Sequence, residues 1–490
     1  MMRVGTKSWI TVVAFTITCM APSWTDAQDQ RFRMSLGSPA TNRAGDANLA
    51  PSGTIEAQRG AKPAAIDGYW KLTAEFPEYD LDSTVRFRTS ADGRTVELVV
   101  LGPTSGRPST VVGTMTGSQL SLTAPGPLGE MRVSLTYSDP TISGTWAAAD
   151  LTGQIRGTRM APRKPAPNYY PKYFRWIHER LRNNFYDPRL NGVEIEKVRA
   201  AYAEQMANVR DDTDFVLLIR RFLGEFKTSH TDFYLAPEGS PIRERVPVVT
   251  WRRLSPEINY LRIRHFSPQS AQESTDFNRA LEEAAGSPSV VIDLRGNRGG
   301  NASLVFRALS LFLEPGLDAS HVLGRLGTSA APSMPNPSAN AIPGLLVVPS
   351  SRVPWPEIVS KGAAVIRIDG VPKRLYRGRT VVLVDDRCAS ACELFAAILR
   401  DRGGAILIGG QTRGELLLSY TYRIYQNMVF KKKDSGWRLQ LPVLDFRTIS
   451  GERIESKGVA PDRQVQSGGA ADAVLEAALE YLKDGSPGRQ

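Results

Sequence analysis

Cysteine is nearly absent from this chain of 490 residues, with three in all, at positions 19, 388 and 392. So few exclude a disulfide framework as the device that holds the fold together. Cys388 and Cys392 are expected as small buried residues packing one turn, since a redox pair at that spacing requires unusual backbone geometry. Histidine is almost as scarce, with four. Long apolar runs are missing too: the stretch from Ile10 to Ala21 falls short of the roughly 20 residues of a membrane span and is broken by threonines. Arg3 and Lys7 precede it and Thr25-Asp26-Ala27 follows it, so residues 1–27 read as a secretory signal peptide. A secreted or periplasmic protein with no stable membrane anchor is the expectation. Thr16-Ile17-Thr18 before Cys19 fits a lipidation box poorly. Concentrated charge is also lacking. The net charge is +11, but the basic residues are scattered, and the longest pure run, Lys431-Lys432-Lys433, suits a solvated hairpin end. This excludes nucleic acid as the expected partner.

What remains is an ordinary globular composition, 41% hydrophobic and 23% charged, long enough for two or three domains. Residues 28–65 are rich in Ala, Gly, Ser, Asn and Pro without periodicity and read as a disordered leader. Over 66–160 apolar residues alternate, as at Val85 and Phe87 or Val96, Leu98 and Val100. Turn pairs such as Asp92-Gly93 and Asp139-Pro140 separate the runs. That spacing predicts a small antiparallel β barrel or sandwich, with no indication of its ligand. Prolines mark a linker over 161–171. Helical periodicity then governs 172–235, ending at Thr228-Ser229-His230-Thr231. From 236 to 490 strands and helices alternate, which predicts an α/β domain with its site at the carboxyl ends of the strands. A Pro- and Ser-rich insertion at 314–378, a flap or edge excursion, interrupts the alternation.

Two segments of that domain have the residue types of acyl-transfer chemistry. Val381 to Val384 form a strand-like run that breaks into Asp-Asp-Arg-Cys-Ala-Ser-Ala and then reads as a helix. A serine on a strand-to-helix turn stands outside the sheet, beside the first helical N–H groups. Ser390 is that serine. After the run Val290 to Leu294 comes Arg295-Gly296-Asn297-Arg298-Gly299-Gly300-Asn301. Its glycines let the backbone approach a ligand and turn N–H groups inward. A phosphate cradle is the rival reading, although the spacing matches neither a P-loop nor a dinucleotide fingerprint.

Four ordered segments together resemble one family: Asp293 to Gly300, Ala389-Ser390-Ala391-Cys392-Glu393, Gly409-Gly410-Gln411-Thr412-Arg413-Gly414, and Ile454 to Asp462. They occur in the order found in C-terminal processing (tail-specific) peptidases and the tricorn protease core. Tyr186 to Val193 and Thr228-Ser229-His230 look like the helical entry to that core. The resemblance runs from about Tyr170 to the C-terminus and implies a crotonase/ClpP-like βαβ spiral with a helical lead-in. Tail-specific members usually carry a PDZ domain. Too little chain separates Leu235 from Ile258 for one.

The resemblance also implies roles. In the tail-specific branch a lysine serves as base some distance after the nucleophile, but Glu415 stands at that place, and a carboxylate does not replace a neutral amine. The tricorn branch uses a histidine preceded by serine, which maps onto His230 and Ser229, and Glu455 matches its carboxylate. His230 follows a helix end among small polar residues, and a neutral imidazole, with a pKa of about 6.5, accepts a proton at neutral pH. Ser390 is then the nucleophile and His230 the general base, with Ser229 and Glu455 orienting the ring. The N–H groups of Ala391 and of Gly299 or Gly300 form an oxyanion hole worth roughly 3 to 4 kcal/mol per donor. The residues alone leave His230 open to a structural role and Glu455 to being a solvated turn carboxylate. Arg298 or Arg413 is expected to receive a peptide carboxylate, a surface arginine being the plain alternative. A peptide or protein substrate follows; no metal or organic cofactor is required. The rival function is a non-catalytic binder of peptides or apolar ligands on this scaffold, as in the interphotoreceptor retinoid-binding proteins. A crotonase-type acyl-CoA enzyme conflicts with secretion.

Overall fold

The computed structural model describes residues 65–104, 110–126, 129–148, 151–163, 168–330, 345–370, 375–427, 432–466 and 472–484. The expected signal peptide and all but the last residue of the expected leader lie outside them.

Eight antiparallel strands follow one another in the first domain: β1 (Gly68–Glu75), β2 (Tyr79–Thr89), β3 (Thr95–Val100), β4 (Thr110–Thr116), β5 (Gln119–Gly126), β6 (Gly129–Ser138), β7 (Thr141–Ala148) and β8 (Leu151–Arg159). Each pairs with its neighbour in sequence, and β1 pairs with both β2 and β8, Trp70 lying opposite Val85 on one side and Arg159 on the other. The ring is therefore closed. Of the two expected architectures the barrel is the one formed, and closure removes the free edges a sandwich would leave. Trp70, Phe87 and Trp146 are wholly buried in its interior, on the faces set by the alternation.

Three helices come next, α1 (Tyr170–Asn184), α2 (Ile195–Gln205) and α3 (Asp212–Gly224), then the short strands β9 (Asp232–Leu235) and β10 (Ile242–Glu244). Asp211 caps α3 by accepting from the N–H groups of Thr213 and Asp214, at 2.8 and 3.1 Å. Ile177 and Leu181 of α1 and Phe215, Ile219 and Phe222 of α3 bury one apolar stripe each in a shared core. Arg220 joins α3 to the barrel, donating to the carbonyls of Val100 and Gly102 at 2.6 and 2.7 Å and pairing with Asp232 at 2.9 Å. β10 adds to β2, Ile242 facing Leu81.

The α/β domain contains two sheets. Its elements are β11 (Val249–Ser255), β12 (Ile258–Ile263), α4 (Ala271–Ala284), β13 (Ser289–Asp293), α5 (Ala302–Leu309), β14 (Asp318–Gly324), α6 (Arg325–Ala330), β15 (Leu346–Pro349), α7 (Trp355–Lys361), β16 (Ala363–Arg367), β17 (Arg379–Val384), α8 (Ala391–Gly403), β18 (Ile406–Gly409), β19 (Leu417–Asn427), β20 (Lys432–Thr448), β21 (Arg463–Gln464) and α9 (Ala473–Lys483). One sheet has the order β11-β12-β13-β17-β18-β21, parallel from β12 onward, with β13 and β17 buried on both faces as their unbroken apolar runs require. The other has the order β15-β16-β14-β20-β19, and β9 pairs with β20. The segment expected as a flap or edge excursion is thus structural where it is described. It supplies β14, β15 and β16 to the second sheet, because its short apolar runs pair with one another and β14 pairs with β20. Residues 331–344 and 371–374 of it lie outside the described residues.

Candidate active site

Adjacent parallel strands β13 and β17 deliver their carboxyl ends to one place. After β17 the chain turns through Asp385 to Ala389 and enters α8 at Ala391, with Ser390 at the corner in a left-handed conformation, φ 59° and ψ −121°. For a residue with a β-carbon that backbone costs on the order of 1–3 kcal/mol and marks an over-determined turn. The loop after β13 is stitched alongside: the Gly296 N–H donates to Asp385 Oδ1 at 2.9 Å, and the Ala389 N–H donates to the Asn297 carbonyl at 3.1 Å. Gly299 has φ +95°, and a β-carbon there would stand 2.7 Å from both the Ala389 carbonyl oxygen and Ser390 Cβ. Only glycine fits that approach.

His230 arrives from the other side, at the turn between α3 and β9, also with positive φ (59°). Pairing of β9 with β20 fixes the turn. His230 Nε2 lies 3.1 Å from Ser390 Oγ, and Nδ1 lies 2.8 Å from Ser229 Oγ. Ser229 donates to Glu455, Oγ to Oε2 at 2.7 Å and N–H to Oε1 at 2.9 Å; the Leu416 N–H donates to Oε2 at 2.9 Å. All four side chains are buried. Glu455 therefore touches Ser229 rather than the imidazole. Since the Ser229 hydroxyl proton points at the carboxylate, its lone pair accepts the proton on Nδ1, which leaves the Nε2 lone pair for Ser390. Burial pushes His230 down to about 4, so the ring is neutral at ordinary pH, and raises Glu455 to about 7 against its hydrogen bonds from Ser229.

The other histidines are elsewhere. His178 is buried on α1, 3.2 Å from Glu196. His265 lies 3.0 Å from Glu244, and His321 lies on β14, 3.2 Å from the Thr448 carbonyl.

Three expectations need correcting. The Gly299 N–H is not free, since it donates to Asn297 Oδ1 at 2.8 Å. Among the described residues the N–H groups of Gly300 and Ala391 keep no partner; Ala391 follows Ser390 directly, and Gly300 follows Gly299, which packs against Ser390. Arg413 is not free either: its Nε donates to Glu415 Oε1 at 2.8 Å. Cys388 and Cys392 are joined in a disulfide, with 5.5 Å between their Cα atoms, which the turn at Ser390 brings within bridging distance.

Glu393, Asn297 and Glu415 have parts that sequence reasoning did not assign. Glu393 is fully buried and accepts four hydrogen bonds, from the N–H groups of Ser390, Gly414 and Glu415 and from Thr412 Oγ1, at 2.6 to 3.0 Å. An acid three residues after a helix-capping serine was the available signal. Asn297 Nδ2 donates to the Ile263 carbonyl at 3.0 Å, anchoring the loop whose Gly299 its other end holds. Glu415 is buried with Oε2 unpartnered among the described residues, and burial raises it to about 8. A carboxyl raised in the folded state stabilises fully below its unfolded pKa, near 4.5, and that contribution is lost as pH rises through about 8. The melting temperature should therefore fall as pH is raised from about 6 to about 9, and Glu415→Gln should flatten the fall. Thermal melts across that range decide it; an unchanged slope in the variant would reject the assignment.

Comparisons with known proteins agree on the core. Residues 257–465 match Peptidase family S41, and residues 168–224 match the Tricorn protease C1 domain. The chain is 26% identical over 221 residues to the carboxy-terminal processing protease CtpA of Bacillus subtilis (strain 168), covering 45% of this chain and 38% of that protein. It is 23% identical over 308 residues to the chloroplastic carboxyl-terminal-processing peptidase 3 of Arabidopsis thaliana, covering 61% of this chain and 50% of that one. The chain thus spans half or less of these relatives' lengths. The solved structure of the tricorn protease superposes with a TM-score of 0.41 at 10% identity, covering 83% of this chain and 57% of that one.

Proposed function

From a chain that belongs to peptidase family S41, we propose a serine peptidase that cleaves peptide bonds through an acyl-enzyme on Ser390, with His230 as general base. The observation that carries this is the 3.1 Å approach of His230 Nε2 to Ser390 Oγ, at a site where the place of a dyad lysine is held by Glu415. We read the α/β domain as a crotonase/ClpP-like spiral.

Nε2 accepts the hydroxyl proton as Oγ bonds to the scissile carbonyl carbon. The carbonyl oxygen becomes an oxyanion held by the N–H groups of Gly300 and Ala391. The imidazolium, steadied through Ser229 by Glu455, which is ionised above its pKa of about 7, then passes its proton to the amine nitrogen as the carbon–nitrogen bond breaks. Water enters by the same route: Nε2 takes one of its protons, hydroxide attacks the ester, and Ser390 regains its proton as the acid departs. We place the protein outside the cytoplasm. The signal-like residues 1–27 support this, as does the Cys388–Cys392 disulfide, which suits an oxidising compartment. Among the described residues no helix is long and apolar enough to cross a membrane.

A fluorophosphonate probe tests the reading. It should attach at Ser390, located by peptide mass mapping, and leave Ser390→Ala unlabelled. A Ser390 that stays silent while the folded protein binds apolar ligands tightly would favour the non-catalytic alternative.

A further inference from the structure

The glycine-rich loop is backed by a segment that the proposed chemistry does not use. Beyond β12 the chain passes through Arg264, His265, Phe266 and Ser267, and Phe266 bridges to Gly300. The Phe266 N–H donates to the Gly299 carbonyl at 2.8 Å, and the Phe266 carbonyl accepts from the Asn301 N–H at 2.7 Å. Gly300 lies flat on this segment with φ +139°, and a β-carbon there would collide with Ser267 Oγ and the Phe266 carbonyl. The Gly299 carbonyl and the Gly300 N–H are opposite ends of one planar peptide unit and point in opposite directions. Holding the carbonyl on Phe266 therefore sets the aim of the Gly300 N–H, one of the two N–H groups proposed for the oxyanion. Rotation of that single peptide would take the donor away.

The position of Phe266 is fixed in turn by its neighbour. His265 is buried between two bonds: Nδ1 accepts from the Ser267 N–H at 3.2 Å, and Nε2 lies 3.0 Å from Glu244 Oε1. A backbone N–H can only donate, so Nδ1 carries the lone pair and Nε2 the proton, which goes to Glu244. The ring thus closes the bend from 265 to 267 and ties it to β10. Glu244 is itself held, accepting from Arg264 Nη1 at 2.6 Å, while Arg264 Nε donates to Glu78, between β1 and β2, at 3.1 Å. Since β10 pairs with β2, Glu244 opposite Tyr79, these side chains brace the loop against the barrel.

We infer that His265 is a positioning residue: by accepting the Ser267 N–H and donating to Glu244, it keeps the peptide between Gly299 and Gly300 turned so that the Gly300 N–H faces the oxyanion. The inference rests on the peptidase reading for the oxyanion, whereas the bracing of the loop does not require turnover. It gives the barrel a part in the chemistry, as the frame against which the oxyanion hole is set.

Three variants of the full-length protein test it. His265→Asn puts an amide oxygen near the place of Nδ1 and keeps an acceptor for Ser267; His265→Gln puts an amide nitrogen near the place of Nε2 and keeps a donor to Glu244; His265→Phe keeps a ring and neither bond. His265→Phe should lower kcat for peptide hydrolysis about tenfold to hundredfold with KM within about twofold, approaching the loss of one oxyanion donor. His265→Asn should recover most of kcat, and His265→Gln should stay near the Phe variant. Hydrogen exchange followed on peptides spanning 295–301 should be about fivefold or more faster in His265→Phe and return toward the parent in His265→Asn. Thermal melts show which variants are folded. A folded His265→Phe with parental kcat, a loss that appears in KM, unchanged exchange in the loop, or equal losses in the Asn and Phe variants would each overturn the inference. If His265→Phe does not fold, the other two decide: His265→Gln slower than His265→Asn supports it, and equal rates or the reverse order overturn it. A parent that hydrolyses no peptide and takes no fluorophosphonate loses the peptidase reading, while exchange still shows whether His265 holds the loop. A parent that is active, with variants indistinguishable from it, keeps that reading and loses this inference.

Discussion

Replacing His230 by Ala is expected to lower kcat for peptide hydrolysis on the order of 10⁴-fold or more, with KM changed by no more than a few-fold. The imidazole is the group within reach of the Ser390 hydroxyl that can take its proton: Nε2 is 3.1 Å away, and Ser229 and Glu455 bias the tautomer toward a free Nε2 lone pair. Without it the hydroxyl must ionise unaided, and what remains is binding and the oxyanion donors. Ser229→Ala should cost less, because the ring stays in place and loses only its orientation. The measurement is steady-state kinetics on the purified variants, with a thermal melt to show that each is folded. A His230→Ala protein that is folded and hydrolyses peptides at near the parental rate would place the base elsewhere and end the Ser-His reading. Glu415 offers no rescue, since a buried carboxyl already engaged by Arg413 is not a dyad amine.

Glu393→Ala should show the largest loss of stability among single changes around the site. Its carboxylate lies at zero exposure and accepts from three backbone N–H groups and one hydroxyl. Those donors belong to separate pieces of chain: the nucleophile itself, and the turn from Thr412 to Glu415 that leads into β19. Burial raises the pKa of Glu393, while the four donors favour its ionised form. Truncation leaves the donors buried without an acceptor, at about 1–3 kcal/mol each where no water enters, so a loss on the order of 4 kcal/mol or more is expected. In a protein of this size that is a fall in melting temperature of about 4 °C. Labelling of Ser390 should fall as well, because its backbone N–H loses the bond that holds the corner. Glu393→Gln keeps one acceptor oxygen and should lie between. A melt for Glu393→Ala within a degree or two of the parent would show that this network is not what holds the corner.

Much of the fold was legible because it is local. An apolar run such as Val381 to Val384, ending in small residues and followed by a helical pattern, can hardly be other than a buried strand turning into a helix. The alternation through Val85, Phe87, Val96 and Leu98 announces one buried face per strand. Glycines after Leu294 announce a backbone that something must approach closely. The order of four such motifs is that of the C-terminal processing peptidase and tricorn protease core.

The amino-acid sequence by itself determined which residue types stand at each turn, which faces are apolar, and that no lysine occupies the dyad position. The tertiary structure alone decided the rest. It closed β1 onto β8 to make a barrel rather than a sandwich, and it brought His230 to Ser390 across 160 positions. It gave the Gly299 N–H to Asn297, bonded Cys388 to Cys392, paired Arg413 with Glu415 and left Arg298 without a carboxylate among the described residues. The physical reason is one of range. Periodicity and turn chemistry record what a residue prefers against its near neighbours, whereas which donor meets which acceptor depends on long-range strand pairing and packing that no local window contains.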